Sequence, residues 1–131
     1  VQYIILAGCG KTGRYLALEL AQSHNVVMVD KDRKALDSLG QDFNGKKILG
    51  DVLNPEILEA AGIREADSLI LLTGNDNLNL VVGKAVLKKY KVKKVALQVY
   101  DLKKKKIFSQ EGLIIVNRTY LLVEVFKKCI L

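Results

Sequence analysis

Three glycines within six positions, Gly8, Gly10 and Gly13 in the stretch "GCGKTG", follow an apolar run and open an amphipathic one. No other feature constrains the fold as strongly, because it makes a strand turn at once into a helix. The middle of the stretch also ends like a Walker loop, in Gly-Lys-Thr. A Walker loop needs a further glycine five positions before Gly10, so that a long loop can wrap phosphates in backbone N–H groups. That position is Ile5, inside the apolar run, and the Walker reading fails. G-x-G-x-x-G fits instead. It puts Gly8 at the tight turn, Gly10 where backbone approaches a pyrophosphate, and Gly13 where helix meets strand. The helix N-terminus behind it supplies unpaired N–H donors and partial positive charge.

The rest of the chain repeats this strand-then-helix pattern. Apolar, β-branched runs at Tyr3–Ala7, Val26–Val29, Lys47–Leu49, Ser68–Leu72, Val95–Val99 and Leu113–Val116 predict strands. Helical spacing predicts helices at Thr12–Ser23, Lys34–Phe43, Pro55–Ala61, Leu78–Tyr90 and Lys103–Glu111. Nearly continuous apolar strands are expected of a sheet covered on both faces. The pattern predicts an α/β fold, a Rossmann-like doubly wound parallel sheet of about six strands. At 131 residues, half of them apolar, the chain makes one domain, and no linker interrupts it. Pro55, the only proline, suits the first turn of a helix capped by Asn54.

The final segment, Arg118–Leu131, differs: its apolar residues wrap most of the way round a helix instead of forming one stripe. Such a helix needs burial on more than one side. Two readings stand, docking on another subunit or closing the domain's own sheet; the expectation is a dimerisation helix over 117–131 on a core of 1–116.

An adenosine site is expected from Asp30, which ends the second predicted strand 20 residues after Gly10. A carboxylate there accepts hydrogen bonds from ribose hydroxyls and repels a 2′-phosphate. NAD or a simple adenine nucleotide is favoured over NADP, a preference that Lys31 and Arg33 soften. Two later loops leave strands at the same edge, where open α/β sheets bind ligands. Asp51 is placed to reach the adenine edge, and Thr73 with the Gly74 backbone to line ribose and phosphates. The competing role for Asp51, Thr73, Asn75 and Asp76 is helix capping. No chemistry is evident: Tyr90 to Lys94 and Tyr100 to Lys104 spell Tyr-x-x-x-Lys, but such matches are cheap among 17 lysines and fall on the wrong elements. No catalytic residue is assigned and the chain is not expected to be an enzyme; the alternative kept is a fragment of an NAD-dependent oxidoreductase.

Cys9 and Cys129 lack metal-type spacing and His24 is the single histidine, so no metal site is expected. A reactive role for Cys9 lacks a histidine or resolving cysteine. Neither a signal peptide nor an apolar run near the roughly 20 residues of a membrane span is visible, and a soluble cytosolic chain is expected. The net charge of +7 sits in the second half, in lysine runs at Lys84–Lys94 and Lys103–Lys106. Lysine outnumbers arginine and no aromatic residues are spaced for base stacking, which disfavours nucleic acid.

The segments "IILAGCGKTGRYLALEL", "VVMVDKD" and "ILGDVLNPEILEAAGIREADSLILLTGNDNLNL" together resemble the N-terminal nucleotide-binding lobe of the Trk/Ktr and RCK (regulator of potassium conductance) proteins. The resemblance covers nearly the whole chain and is most specific from Gly50 to Asn79, where an ordinary dehydrogenase looks different. It implies a regulatory subunit that binds NAD, NADH, ATP, ADP or AMP, pairs with related RCK subunits in a dimer within a larger, octameric ring, and gates a membrane potassium channel or transporter from the cytoplasmic side. By position it puts Gly8, Cys9, Gly10, Lys11, Thr12 and Gly13 around the phosphates. Asp30 would hold the ribose, Asp51 and the Val52 backbone the adenine, and Thr73, Gly74 and Asn75 would close over ribose and phosphate. Lys11 would aim at the terminal phosphate. Gln98 stands where relatives commonly carry a basic residue, and many relatives continue into a second lobe.

Overall fold

A computed structural model describes residues 1–104 and 111–131. Most of the helix expected at Lys103–Glu111, with Lys105 and Lys106, lies outside the described residues. Six strands and five helices are described in full: β1 (Tyr3–Ala7), α1 (Lys11–Leu20), β2 (Asn25–Asp30), α2 (Arg33–Asp37), β3 (Lys46–Leu49), α3 (Pro55–Ala60), β4 (Ser68–Leu71), α4 (Asp76–Lys89), β5 (Lys94–Gln98), β6 (Ile114–Val116) and α5 (Arg118–Ile130). The strands form one sheet in the order β3-β2-β1-β4-β5-β6, every pairing parallel. The expected Rossmann-like α/β sheet is the one observed. Strand order reverses between β1 and β4, which opens a crevice at their carboxyl ends.

Alternation along β1 builds two cores. Ile5 and Ala7 face a cluster with Leu58 of α3, Leu80 and Val86 of α4, and Leu69 and Leu71 of β4. Ile4 and Leu6 face the other side, with Ala17 of α1, Leu36 of α2, Met28 and Phe43. Burial of β1 on both faces explains why it reads as a continuous apolar run.

Helix α1 comes close to β1 because two side chains are missing. Gly8 has φ +112°, and a Cβ there would sit 2.5 Å from the carbonyl carbon and oxygen of Leu72. A Cβ on Gly13 would collide with the Gly8 carbonyl oxygen. Only glycine is accommodated at either position.

Most element ends lie within a residue or two of expectation, and the exceptions have local causes. Helix α1 ends at Leu20 instead of Ser23, where Gln22 and Ser23 form turns back to Glu19 and Leu20. Helix α2 stops at Asp37, because the chain turns through Ser38 and Leu39 to Gly40 at φ +71°. Phe43 still reaches the core, from a loop instead of a helix. Helix α3 starts as expected, with Pro55 in its first turn and the Asn54 side chain accepting from the Glu56 N–H. Helix α4 begins two residues early under its Asn75 cap.

The final helix decides between its two readings in one respect. None of its residues is buried, and Leu122, Val125 and Phe126 are 48, 55 and 64% exposed. It therefore does not close this chain's sheet.

The Gly8 to Gly13 contact yields a direct expectation. Gly13→Ala forces α1 off β1 and lowers stability by about 1–3 kcal/mol, in the range of overpacked cores, read as a lower urea midpoint with an unchanged slope.

Candidate functional site

The crevice at the strand-order reversal is a cleft of about 400 Å³, within the range of small-ligand sites. Gly8, Cys9 and Gly10 form its wall after β1, and Asp30 and Lys31 its wall after β2. Asp51 and Val52 enter from the loop after β3, and Thr73, Gly74 and Asn75 from the loop after β4. The other four expected residues lie outside the lining. Lys11 and Thr12 are exposed on the first turn of α1, Gly13 is buried under the turn, and Gln98 is buried at the end of β5.

The glycine loop presents backbone. A Cβ at Gly10 would meet nothing within 4 Å, and the same holds at Gly74 across the cleft. Gly10 is the N-cap of α1, has no side chain to cap it, and is followed by no acidic residue in the first turn. The opening N–H groups of α1 thus have no side-chain acceptor, an arrangement suited to an anion.

Asp30 ties this loop to β2. Its Oδ2 accepts from the Cys9 N–H at 2.7 Å and its Oδ1 from the Asp32 N–H at 2.8 Å. Each carboxylate oxygen has a further lone pair for a hydroxyl donor. The Cys9 side chain points away from this face. Its thiol donates to the Ala35 carbonyl at 3.1 Å and packs in the α1/α2 core. Burial pushes its pKa up, against a smaller lowering by a hydrogen bond to Ser38. The Cys9 N–H is held by Asp30, so Cys9 lines the cleft as part of the loop wall, and its thiol is unsuited to nucleophilic work.

Asp51 does not cap α3, which Asn54 does; its Oδ1 accepts from the Leu53 N–H at 3.0 Å and shapes the loop. Val52 is buried, which anchors that loop to the core. Asn75 caps α4 by accepting from the Leu78 N–H at 3.0 Å, so capping is its role in the fold. The Thr73 hydroxyl is engaged with Asn79 Oδ1.

Three residues that shape the cleft escaped sequence reasoning as site residues. Asn79 is fully buried, and its Nδ2 donates to the carbonyls of Thr73 at 3.1 Å and Gln98 at 2.9 Å, clipping the ends of β4 and β5 together. The signal was a polar residue on the buried face of α4, hidden inside the capping run "NDNLN". Tyr100 lines the cleft, although it drew notice only as half of a Tyr-x-x-x-Lys match. Leu78 adds an apolar wall from the first turn of α4. The other match fails on geometry: the Tyr90 hydroxyl donates to Glu59 Oε2 at 2.9 Å, and Lys94 begins β5, at the edge opposite the cleft. Among the described residues there is no cluster of histidine, cysteine and carboxylate groups able to hold a metal ion. No described helix is long and apolar enough to cross a membrane.

A doubly wound sheet with a glycine turn, an acidic strand end and an open helix N-terminus defines a Rossmann-like domain with a ligand cleft at its switch point. Within that class, the chain belongs to the TrkA-N domain family, whose model matches residues 4–118. It is 30% identical over 112 residues to the Trk system potassium uptake protein TrkA of Streptomyces coelicolor, spanning 85% of this chain and 50% of that protein. The chain thus covers half the length of that relative. Among solved structures it is similar to the TrkA-N domain of the inner membrane protein ybaL from Escherichia coli, with a TM-score of 0.88, 19% identity and coverage of 99 and 97% of the two chains. The Kef C-terminal domain of Shewanella denitrificans in its AMP-bound form has a TM-score of 0.78 at 22% identity, covering 92% of this chain and 74% of that one. The GsuK channel bound to NAD has a TM-score of 0.78 at 19% identity, covering 92 and 22%.

The placement of Cys9 is checked by thiol titration in a Cys129→Ser variant. At pH 8 the folded chain is expected to release no chromophore from a disulfide reagent over minutes, and one equivalent per chain once unfolded in urea.

Proposed function

We propose that this chain is the nucleotide-binding lobe, residues 1–131, of a regulatory subunit that gates a membrane potassium channel or transporter by changing shape when an adenine nucleotide binds. One observation carries the reading: the unobstructed N-terminus of α1 and the Asp30 carboxylate face one cleft of about 400 Å³. Donors for phosphate and an acceptor for ribose therefore face the same space. NAD, NADH, ATP, ADP and AMP share that chemistry, and the AMP-bound and NAD-bound relatives support it.

In this reading the Gly10 N–H and the first turn of α1 take the phosphates, with Lys11, Thr12 and Lys31 at the rim. Gly8 and Cys9, whose N–H groups bond the Val29 carbonyl and Asp30, hold the loop in shape around them. Asp30 takes the ribose hydroxyls, Asp51 and the Val52 backbone the adenine, and Thr73, Gly74 and Asn75 cover the ribose. Gly13 and Gln98 act from beneath, by packing. In this reading the domain reads a ligand instead of transforming one.

Helix α5 supplies the subunit contact. Half a dozen apolar side chains at roughly 1.5–3 kcal/mol each when fully buried give a gross gain on the order of 10 kcal/mol, enough to offset much of the cost of association. A dimer through α5, closed into a ring with related subunits beneath the membrane partner on its cytoplasmic side, is the assembly this favours. Nucleotide then moves the ring by its difference in affinity between conformations. About 5.5 kcal/mol shifts a two-state equilibrium from 1:99 to 99:1, and several sites can share it.

Calorimetry against NAD, NADH, ATP, ADP and AMP is expected to show saturable binding of at least one, weakened about tenfold or more by Asp30→Ala through loss of charged hydrogen bonds. Silence from all five would contradict the reading. Light scattering is expected to give at least a dimer for the wild type and a monomer for Phe126→Glu; a monomeric wild type removes the role given to α5.

A further inference from the structure

The segment from Val99 to Asp101 leaves β5 at the cleft and belongs to neither strand nor helix. The Val99 N–H donates to the Val116 carbonyl of β6 at 3.1 Å, and two side chains hold the rest of the segment's backbone. Asp76, the first residue of α4, accepts from the Tyr100 N–H through Oδ1 at 2.9 Å and from the Asp101 N–H through Oδ2 at 3.0 Å. Asn117 donates Nδ2 to the Val99 carbonyl at 2.7 Å and to the Tyr100 carbonyl at 3.2 Å. The same amide accepts, through Oδ1, the Tyr120 N–H at 2.9 Å and so caps α5. Both backbone polar groups of Tyr100 are therefore satisfied by side chains, one heading α4 and one heading α5. The Tyr100 ring, 52% exposed, lines the cleft.

Asn117 is 1% exposed and makes all three of these bonds at once. A buried amide cannot give up such partners without leaving carbonyls unsatisfied. Asn117 joins the end of β6 to α5, so a tilt of α5 about this junction acts on its amide through the Tyr120 N–H. The amide passes the movement to the Val99 and Tyr100 carbonyls, while the Val99 N–H stays with the Val116 carbonyl of β6. Asp76 stays with α4, so the segment pivots about its N–H side and the ring is re-aimed in the cleft.

We propose that Tyr100 contacts the ligand and that Asn117 is the positioning residue coupling the cleft to α5, so that association through α5 and nucleotide binding change one another. The proposal rests on the reading of the cleft as a nucleotide site and of α5 as a subunit contact. Coupling of this kind is reciprocal: association alters nucleotide affinity by the same factor by which nucleotide alters association.

The test compares associating and association-deficient chains, with and without the amide. Asn117→Ser keeps an oxygen able to cap α5, but its short hydroxyl cannot span both carbonyls. In the wild-type background, Phe126→Glu is expected to change the Kd for ADP about fivefold or more, the lower end of ordinary coupling. In the Asn117→Ser background, the same substitution changes it less than twofold. A full difference that survives Asn117→Ser overturns the proposal, as does equal affinity of wild type and Phe126→Glu. Hydrogen exchange without nucleotide separates the coupling from the ligand. The Tyr100 and Asp101 amides are expected to change protection on association in the wild type and not in Asn117→Ser. Unchanged protection in an associating wild type overturns the coupling even where ADP binds; changed protection in a chain that binds none of the five nucleotides upholds the coupling and removes the nucleotide reading alone. Should Asn117→Ser fail to fold, Tyr100→Ala carries the test, because it removes a half-exposed ring and keeps the Asn117 bonds. It is expected to weaken ADP binding several-fold and abolish the difference between the two association states; retention of wild-type affinity and difference overturns the proposal.

Discussion

The structure depends on the close contact between the Gly8 carbonyl and Gly13. With no Cβ on Gly13, α1 lies against the end of β1; with Gly8 at positive φ, the chain turns in one residue and passes close to the Leu72 carbonyl just beyond β4. These approaches aim the axis of α1 into the crevice between β1 and β4. The partial positive charge at its N-terminus is therefore a consequence of how the core packs. A Cβ at either glycine would cost stability and mis-aim the helix together.

Asp30 continues the same logic across the sheet. By accepting from the Cys9 N–H, it fixes the glycine loop relative to β2, and by accepting from the Asp32 N–H it turns the chain into α2. On the far side of the crevice, Asn79 does comparable work, clipping the end of β4 to the end of β5. The cleft has walls held by side-chain amides and carboxylates that bond backbone, so the polar groups defining it are already oriented. Preorganisation of this kind lowers the ordering cost of binding. The exception is Val99–Asp101, whose position depends on the end of β6, on Asp76 at the head of α4 and on Asn117, the cap of α5.

The fold was largely legible in the sequence because its strands are buried on both faces and its loops are punctuated by glycine, proline and asparagine. Ile5 ruled out the Walker loop, and it lies buried in β1. Gly8, Gly10, Asp30, Asp51 and Thr73 were legible as cleft residues because strand ends in such sheets converge on one edge. What escaped was the set of contacts made across long sequence distances. Asn79 to Gln98 and Asn117 to Tyr100 bridge 19 and 17 positions, and no local pattern marks an asparagine whose partners are carbonyls on another element. Thr12 and Lys11 show the converse: the motif includes them, yet geometry places them on the exposed turn outside the lining. The shorter α2 reflects Gly40, whose positive φ ends the helix despite an apolar pattern that runs on to Phe43.

The central claim is that one cleft reads phosphate, ribose and base together, and mapping of backbone amide chemical shifts on titration with ADP tests it most directly. The account predicts concerted, saturable shifts at Gly8–Lys11, Asp30–Lys31, Asp51–Val52, Thr73–Asn75 and Tyr100, with the opposite edge around Tyr90 and Lys94 undisturbed. Saturable shifts centred on the lysines at 88–94, with the glycine loop and Asp30 unmoved, would contradict it.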